Sequence, residues 1–216
     1  MQALSDCCDP APYRRFFDQK QAERDLRSYR RRGLDPMAAR LVDYLDANDL
    51  TGLTVLEVGG GIGAIQIELL RRGAASATNV ELSPGYEKVA ETLSEEEGLS
   101  DRMTRDVGDF VTGQETYGPA DVLVMNRVVC CYPHMERLVG AASAKTAKYL
   151  ALTVPRDTWW NKTWVGVDNA LVGFRNGYVK AFVHPVSGIV SIAAESGLTP
   201  RFTDHDLIWQ AMVLAR

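Results

Sequence analysis

The sequence lacks most of the features that mark a membrane, secreted or nucleic-acid-binding protein. No apolar run approaches the roughly 20 residues of a membrane span. The opening MQALSDCCDP has neither the basic start nor the apolar stretch of a secretory signal. Positive charge is not in excess: 24 Lys and Arg face 28 Asp and Glu, a formal net charge of −4. That balance argues against a general nucleic-acid binder. Cysteine is sparse, four residues in two adjacent pairs, Cys7-Cys8 and Cys130-Cys131, with no C-x-x-C spacing. A four-thiolate zinc site would have to join the two pairs across the fold, so no metal is expected. The expectation is a cytoplasmic chain with reduced thiols and neither membrane nor nucleic acid as partner. There is no internal repeat and no low-complexity linker. What remains is 216 residues, 46% hydrophobic and 24% charged, enough for one domain with a full core.

The chain divides near residue 50. Residues 1–12 read as loosely docked. A helix then starts at Asp18, with Gln21 placed for a capping box and Ala22, Leu26 and Tyr29 on one face. Arg30, Arg31 and Arg32 fill its last turn and Gly33 ends it. A second helix opens at Asp35-Pro36 and carries Ala38, Leu41, Val42 and Leu45 at helical spacing. After Gly52 strands and helices alternate. Strands are expected at 54–58, 77–82, 102–107, 120–125 and 149–154, and helices through Ile65–Leu70, from Ser83-Pro84, over 133–142 and from Pro185. The stretch 155–184, with Trp159, Trp160 and Trp164, breaks that rhythm. LTPRFT and LIWQAMVLA follow as two strands joined by Asp204-His205-Asp206, a link short enough to demand antiparallel pairing. This order predicts an α/β fold: a doubly wound, mostly parallel seven-stranded sheet with a C-terminal antiparallel hairpin and two N-terminal helices. The expected organisation is a helical cap at 1–50 and a core at 51–216, with 155–184 inserted as a substrate lid.

The strongest chemical signal is Val55-Leu56-Glu57-Val58-Gly59-Gly60-Gly61-Ile62-Gly63-Ala64. A buried strand runs straight into glycines and then a helix, so the chain turns sharply and a ligand can touch the backbone. Gly59, Gly61 and Ala64 also satisfy the dinucleotide fingerprint G-x-G-x-x-A, which leaves a nicotinamide or flavin enzyme as an alternative. Glu57 weighs against it. An acid at this strand end opposes an anionic pyrophosphate and suits a cationic sulfonium ligand with its amino group.

E-V-G-G-G-I-G resembles the E/D-x-G-x-G-x-G motif of class I S-adenosylmethionine-dependent methyltransferases, and the likeness runs over roughly residues 50–216. It implies S-adenosyl-L-methionine as cofactor and S-adenosyl-L-homocysteine as product. The family's cofactor positions fall on Glu57, Gly59, Gly61 and Gly63. Glu81, beside Leu82, would accept both ribose hydroxyls. Asp109 would meet the adenine amino group with Phe110 packing nearby, Asp106 being the competing acid. Asn126 and Arg127, just past the fourth strand, line the methionine side or are ordinary loop polarity. D-L-R-S-Y-R-R-R-G and Tyr132-Pro133 are similar to magnesium-protoporphyrin O-methyltransferases, from which V-V-C-C departs. The other small-molecule reading is a methyltransferase of secondary metabolism.

The resemblance implies methyl transfer to a small-molecule acceptor at oxygen. The rivals are a nucleic-acid methyltransferase, whose N-P-P-Y or D-P-P-Y motif is here N-R-V-V, and a non-catalytic protein that keeps the cofactor fold. All three histidines map to loops at one sheet edge: His134 after the fourth strand, His184 before Pro185, His205 in the final turn. His134 is the first choice of general base and His184 the second, both at helix starts that keep imidazole neutral. Trp159 and Trp160 wall an acceptor pocket or staple the loop to the core. Tyr29 closes the site from the other side, with Tyr132 and Arg127 beside the acceptor. Arg30 to Arg32 hold an anion or form a solvated helix end. Cys130 and Cys131 read as small packing residues.

Overall fold

Seven strands form a single sheet in the order β3-β2-β1-β4-β5-β7-β6. The structure, a computed structural model, describes residues 10–173 and 180–216. The strands are β1 (Thr54–Val58), β2 (Ser76–Glu81), β3 (Met103–Val107), β4 (Ala120–Asn126), β5 (Thr146–Pro155), β6 (Thr199–His205) and β7 (Trp209–Ala215). The first five pair in parallel, with Val58 opposite Val80 and Leu56 opposite Leu123. β7 runs antiparallel between β5 and β6. The link between β6 and β7 is Asp206–Ile208, two residues later than expected. Asp206 fixes it by accepting the Ile208 and Trp209 amides at 2.8 and 2.6 Å.

Alternation along the central strands feeds two cores. Val55, Val122, Val124 and Val213 belong to one, with the buried side of α3 (Pro36–Asp46), α4 (Ala64–Arg71) and α5 (Glu87–Glu96). Leu56, Leu123, Leu150 and Leu214 belong to the other, with α7 (Met135–Lys145) and α9 (Val186–Glu195). Strands covered on both faces read as near-continuous apolar runs, which is why they are legible without alternation to water. Helix α3 buries Met37, Leu41 and Leu45 completely, each worth roughly 1.5–3 kcal/mol against exposure. No helix among the described residues is long and apolar enough to cross a membrane.

Two segments differ from the sequence reading. Residues 10–12, expected to be loose, open a short helix α1 (Pro10–Phe16) ahead of the two anticipated, α2 (Gln19–Arg32) and α3. A tertiary bond that no local pattern encodes helps to hold it, the Tyr13 hydroxyl donating to the Cys131 carbonyl. The stretch from Trp159 is a helix too, α8 (Trp159–Gly173). Its side toward the core presents Asn161 and Asn169, so it lacks the apolar periodicity that reveals a helix. Residues 1–9 with Cys7-Cys8, and 174–179 within the expected lid, lie outside the described residues.

Candidate cofactor and acceptor site

The strand order reverses between β1 and β4, and ligands in such sheets bind at the strands' carboxyl ends there. A cavity of about 810 Å³ opens at that place. Its floor is the glycine loop. Gly59 and Gly61 have φ of +66° and +56°, which side chains rarely adopt, and a Cβ on Gly59 would sit 2.7 Å from Val128 Cγ2. Gly60, not anticipated as a site residue, lines the cavity and donates its amide to Asn79 Oδ1 at 3.0 Å. Gly63 does not line it: it is the N-cap of α4 and faces Met103 and Gln66. Arg105, hidden in β3, donates to the Gly61 carbonyl at 3.0 Å and pairs with Glu87 at 2.9 Å. It pins the loop from below, a role with no sequence signature.

Two acids flank the loop. Glu81 accepts the Gly61 amide through one oxygen and the Ser83 amide through the other, both at 3.0 Å. Each oxygen keeps a lone pair for a ligand. Burial raises its pKa against these two bonds and Arg105. Glu57 is 1% exposed and its Oε2 has no hydrogen-bond partner. Burial drives its pKa up to about 8, Arg105 opposing and Glu81 adding to the rise. Asp109 lines the cavity and caps α6 (Phe110–Gly113) by accepting the Val111 amide at 2.8 Å; Phe110 stacks on Tyr117. Asp106 is instead bonded by the Tyr117 hydroxyl and does not line the cavity.

The opposite wall comes from the loop after β4 and the N-terminal helices. Asn126 accepts the Thr153 hydroxyl at 2.5 Å and reaches Asp35 at 3.3 Å. Arg127 holds φ +59°, ion-pairs with Asp35 at 3.2 Å and lies 4.6 Å over the Trp209 ring. Asp35, read in sequence only as a helix cap, thus also ties α3 to the cavity. Tyr29 donates to Glu68 at 2.7 Å and Tyr86 to Asp25 at 2.7 Å. Burial and the acceptor carboxylates raise both phenol pKa values, so each remains a donor. Leu82, Tyr132, Cys130 and Cys131 complete this wall. Their shared hydrogen bond lowers the Cys131 thiol pKa and, with burial, raises that of Cys130.

Several anticipated residues lie elsewhere. His134 precedes α7 beside Glu136 at 3.3 Å, its side chain 48% exposed, outside the cavity lining. His184 places Nε2 2.9 Å from the Tyr132 carbonyl and stacks on Phe182, behind the wall. His205 is exposed at the end of β6. Trp159 and Trp160 pack edge-to-face on each other, 75% and 39% exposed, and do not line the cavity. From the expected lid, Asp168 and Ala181 do. Arg30 pairs with Glu96 and Arg32 with Ser28, so the arginine run serves the helix end rather than the main cavity.

The lining carries six carboxyl groups, from Glu57, Glu81, Asp109, Asp25, Asp35 and Asp168, against the guanidinium groups of Arg14 and Arg127. That surplus fits a ligand with a cationic amino group and a cationic sulfur. It opposes a pyrophosphate.

No protein-family model matches the chain. Among curated proteins it is 35% identical over 71 residues to ribosomal protein L11 methyltransferase from Escherichia coli (strain 55989 / EAEC); these are 33% of this chain and 24% of that protein. The chain therefore spans about a quarter of the curated relatives it matches. Among solved structures it is similar to magnesium protoporphyrin IX methyltransferase from Synechocystis PCC 6803 with bound S-adenosylhomocysteine, with TM-score 0.75 and 18% identity, covering 96% of this chain and 100% of that one. An O-methyltransferase family protein from Burkholderia thailandensis gives TM-score 0.68 and 17% identity, covering 93% of this chain and 63% of that one. The fold is the methyltransferase fold that the glycine loop implied.

Proposed function

We propose that the chain is an S-adenosylmethionine-dependent methyltransferase acting at an oxygen of a small-molecule acceptor in the cytoplasm. The observation that carries this reading is the acid-lined glycine cavity at the switch point, with Oε2 of the buried Glu57 carboxyl left without a hydrogen-bond partner within it. When bound, S-adenosylmethionine supplies a methyl group already activated on a sulfonium. Glu57 would face the amino group, Glu81 the ribose hydroxyls, and Asp109 with Phe110 the adenine, while Gly59 to Gly61, Leu82 and Asn126 shape the bed. The protein's task is then to hold the acceptor oxygen in line, and such positioning is worth up to about 7–11 kcal/mol. Of the N-terminal segment, the described residues from Pro10 onward act as a cap over the site. Asp168 and Ala181, rather than the tryptophans, supply the lid from the described part of the inserted stretch.

The acceptor side suits a flat molecule carrying an ionised oxygen. Tyr29, Tyr132 and Trp209 give aromatic walls, and Arg127 offers a guanidinium held by Asp35 and Trp209. An oxygen that is already anionic needs no general base, in keeping with histidines that lie outside the lining. A nucleic-acid acceptor is disfavoured by the acidic lining. The decisive measurement is calorimetry with S-adenosylhomocysteine followed by turnover with aromatic carboxylic acids and phenols. Stabilisation by NADH and not by S-adenosylhomocysteine would sink the reading. Cofactor binding without turnover on any acceptor class would favour a binding protein.

A further inference from the structure

Cys130 and Cys131 stand on the cavity wall in the single 3-10 turn Val129–Cys131 that follows β4. Neighbours on a strand would send their side chains to opposite faces. Here the turn brings both to one side. Their sulfurs are 3.9 Å apart, and each lies within hydrogen-bonding reach of the Arg127 carbonyl, at 3.3 and 3.6 Å. The turn is braced on several sides. The Cys131 amide donates to the Val128 carbonyl at 2.9 Å, the Phe182 amide to the Cys130 carbonyl at 2.7 Å, and the Tyr13 hydroxyl to the Cys131 carbonyl. Arg127, which supplies the shared carbonyl, is left-handed at φ +59°, and its amide is fixed by Thr153 Oγ1 at 2.8 Å. Strain of this kind persists where the surroundings over-determine it.

A disulfide between chain neighbours fits this geometry poorly. Adjacent Cα atoms across a trans peptide are about 3.8 Å apart, under the roughly 4.4 Å at which ordinary disulfides begin. One soft ion fits it well. Two thiolate bonds of about 2.3 Å at the tetrahedral angle span about 3.8 Å between sulfurs. The observed separation is 3.9 Å.

We propose that Cys130 and Cys131 form a two-thiolate site for a soft, thiophilic ion, a d10 cation or a trivalent arsenical, on the acceptor side of the cavity. Among the described residues no group of three or more His, Cys, Asp and Glu forms a protein-only cage. The ion's remaining positions therefore open to the cavity, where a second ligand can enter. Capture of an arsine oxide balances without oxidant or reductant. Two As–S bonds form, the As–O bond breaks, and the two thiol protons leave with the oxygen as water. The inference does not rest on the methyl-transfer reading. It needs only the thiol pair and the cavity.

Phenylarsine oxide and Cd²⁺ are the probes, used on the reduced full chain without oxygen. Because Cys7-Cys8 is also a vicinal pair, uptake is read in the Cys7→Ser/Cys8→Ser background. One equivalent of phenylarsine oxide should add by intact mass, and Cd²⁺ should give thiolate-to-metal absorption where Mg²⁺ gives none. Further substitution Cys131→Ser or Cys130→Ala should weaken uptake by about 10²-fold or more, since one thiolate cannot chelate. Far-UV circular dichroism checks each fold, and Cys131→Ser keeps the test alive if Cys130→Ala unfolds. A response to the arsenical alone assigns a metalloid site, and one to Cd²⁺ as well assigns a metal site. No uptake in the background chain, or full uptake after either substitution, overturns the proposal. So does a Cys130–Cys131 disulfide formed with glutathione disulfide while neither probe binds. The S-adenosylhomocysteine thermal shift of the same samples reports on the methyltransferase reading separately.

Discussion

The two halves of the cavity are built by different means. The half proposed for the cofactor is backbone and buried acid: three consecutive glycines, Glu57 and Glu81 beneath them, and Arg105 bonded to a loop carbonyl. The half proposed for the acceptor is side chains from distant segments, with Tyr29 from α2, Arg127 after β4, Asp168 from α8 and Trp209 from β7. A ligand touched by backbone constrains the sequence locally, because only glycine allows the approach. A ligand touched by converging side chains constrains it piecemeal, and no window of residues carries the pattern. The cofactor half is expected to be intolerant of single changes and the acceptor half to be tuned by them.

The largest effect should come from Glu57. Its pKa is about 8 in the fold and near 4.3 in an unfolded chain. A carboxyl raised in this way contributes its stability in full below the unfolded value. That contribution falls as pH climbs from about 4 to about 8 and is flat above. Glu57→Gln should therefore gain on the parent across that window, by on the order of 3–5 kcal/mol at pH 9. Urea denaturation at pH 5, 7 and 9 measures this, and parallel pH dependences in parent and variant would refute it. S-adenosylhomocysteine carries an ammonium, so its binding at pH 7.5 should expel a proton from Glu57. Calorimetry in buffers of different ionisation heat reads that release.

Next in size is the loop. Gly59→Ala places a Cβ at φ +66° and 2.7 Å from Val128. The combined strain should cost about 2–4 kcal/mol in stability or cofactor affinity. Wild-type urea midpoint and S-adenosylhomocysteine affinity together would show that the loop and Val128 yield to the added methyl. Smaller again, Glu81→Ala should weaken S-adenosylhomocysteine by about 1–3 kcal/mol through lost charge-assisted hydrogen bonds. An unchanged thermal shift would move the ribose away from Glu81.

The same contrast explains what the sequence made legible. The sheet was readable because β1, β4 and β5 are buried on both faces, and the helices α2 and α3 because Asp18 and Asp35 cap them. The glycine loop with Glu57 and Glu81 pointed to residues that the fold gathers on one cavity. Helix α8 was missed because it faces the core with asparagine, and α1 because a tyrosine from it bonds a carbonyl more than a hundred residues away. Asp168, Asp25 and Trp209 join the cavity lining only through tertiary approach. Gly60 does carry a sequence signal, since it lies between Gly59 and Gly61.

The smallest expected effect bears on the acceptor half most directly. The histidines stand out in the sequence as base candidates because their loops end at the ligand edge of the sheet. An edge is wider than a cavity, and loop membership does not say which way a side chain points. His134 turns toward Glu136 and solvent, while Arg127, one loop turn earlier, is clamped into the lining by Asp35 and Trp209. His134→Ala should then leave kcat and KM within about twofold of the parent, against the 10²–10⁴-fold loss that removing a general base brings. Arg127→Ala should raise the KM for an anionic acceptor by about 10-fold or more, as loss of a charge-assisted contact does, with cofactor affinity little changed. For a carboxylate acceptor the pH–rate profile should lack a limb near neutrality that depends on histidine. A large loss in His134→Ala together with indifference in Arg127→Ala would reverse the assignment, and would require the loop after β4 to turn inward when the acceptor binds.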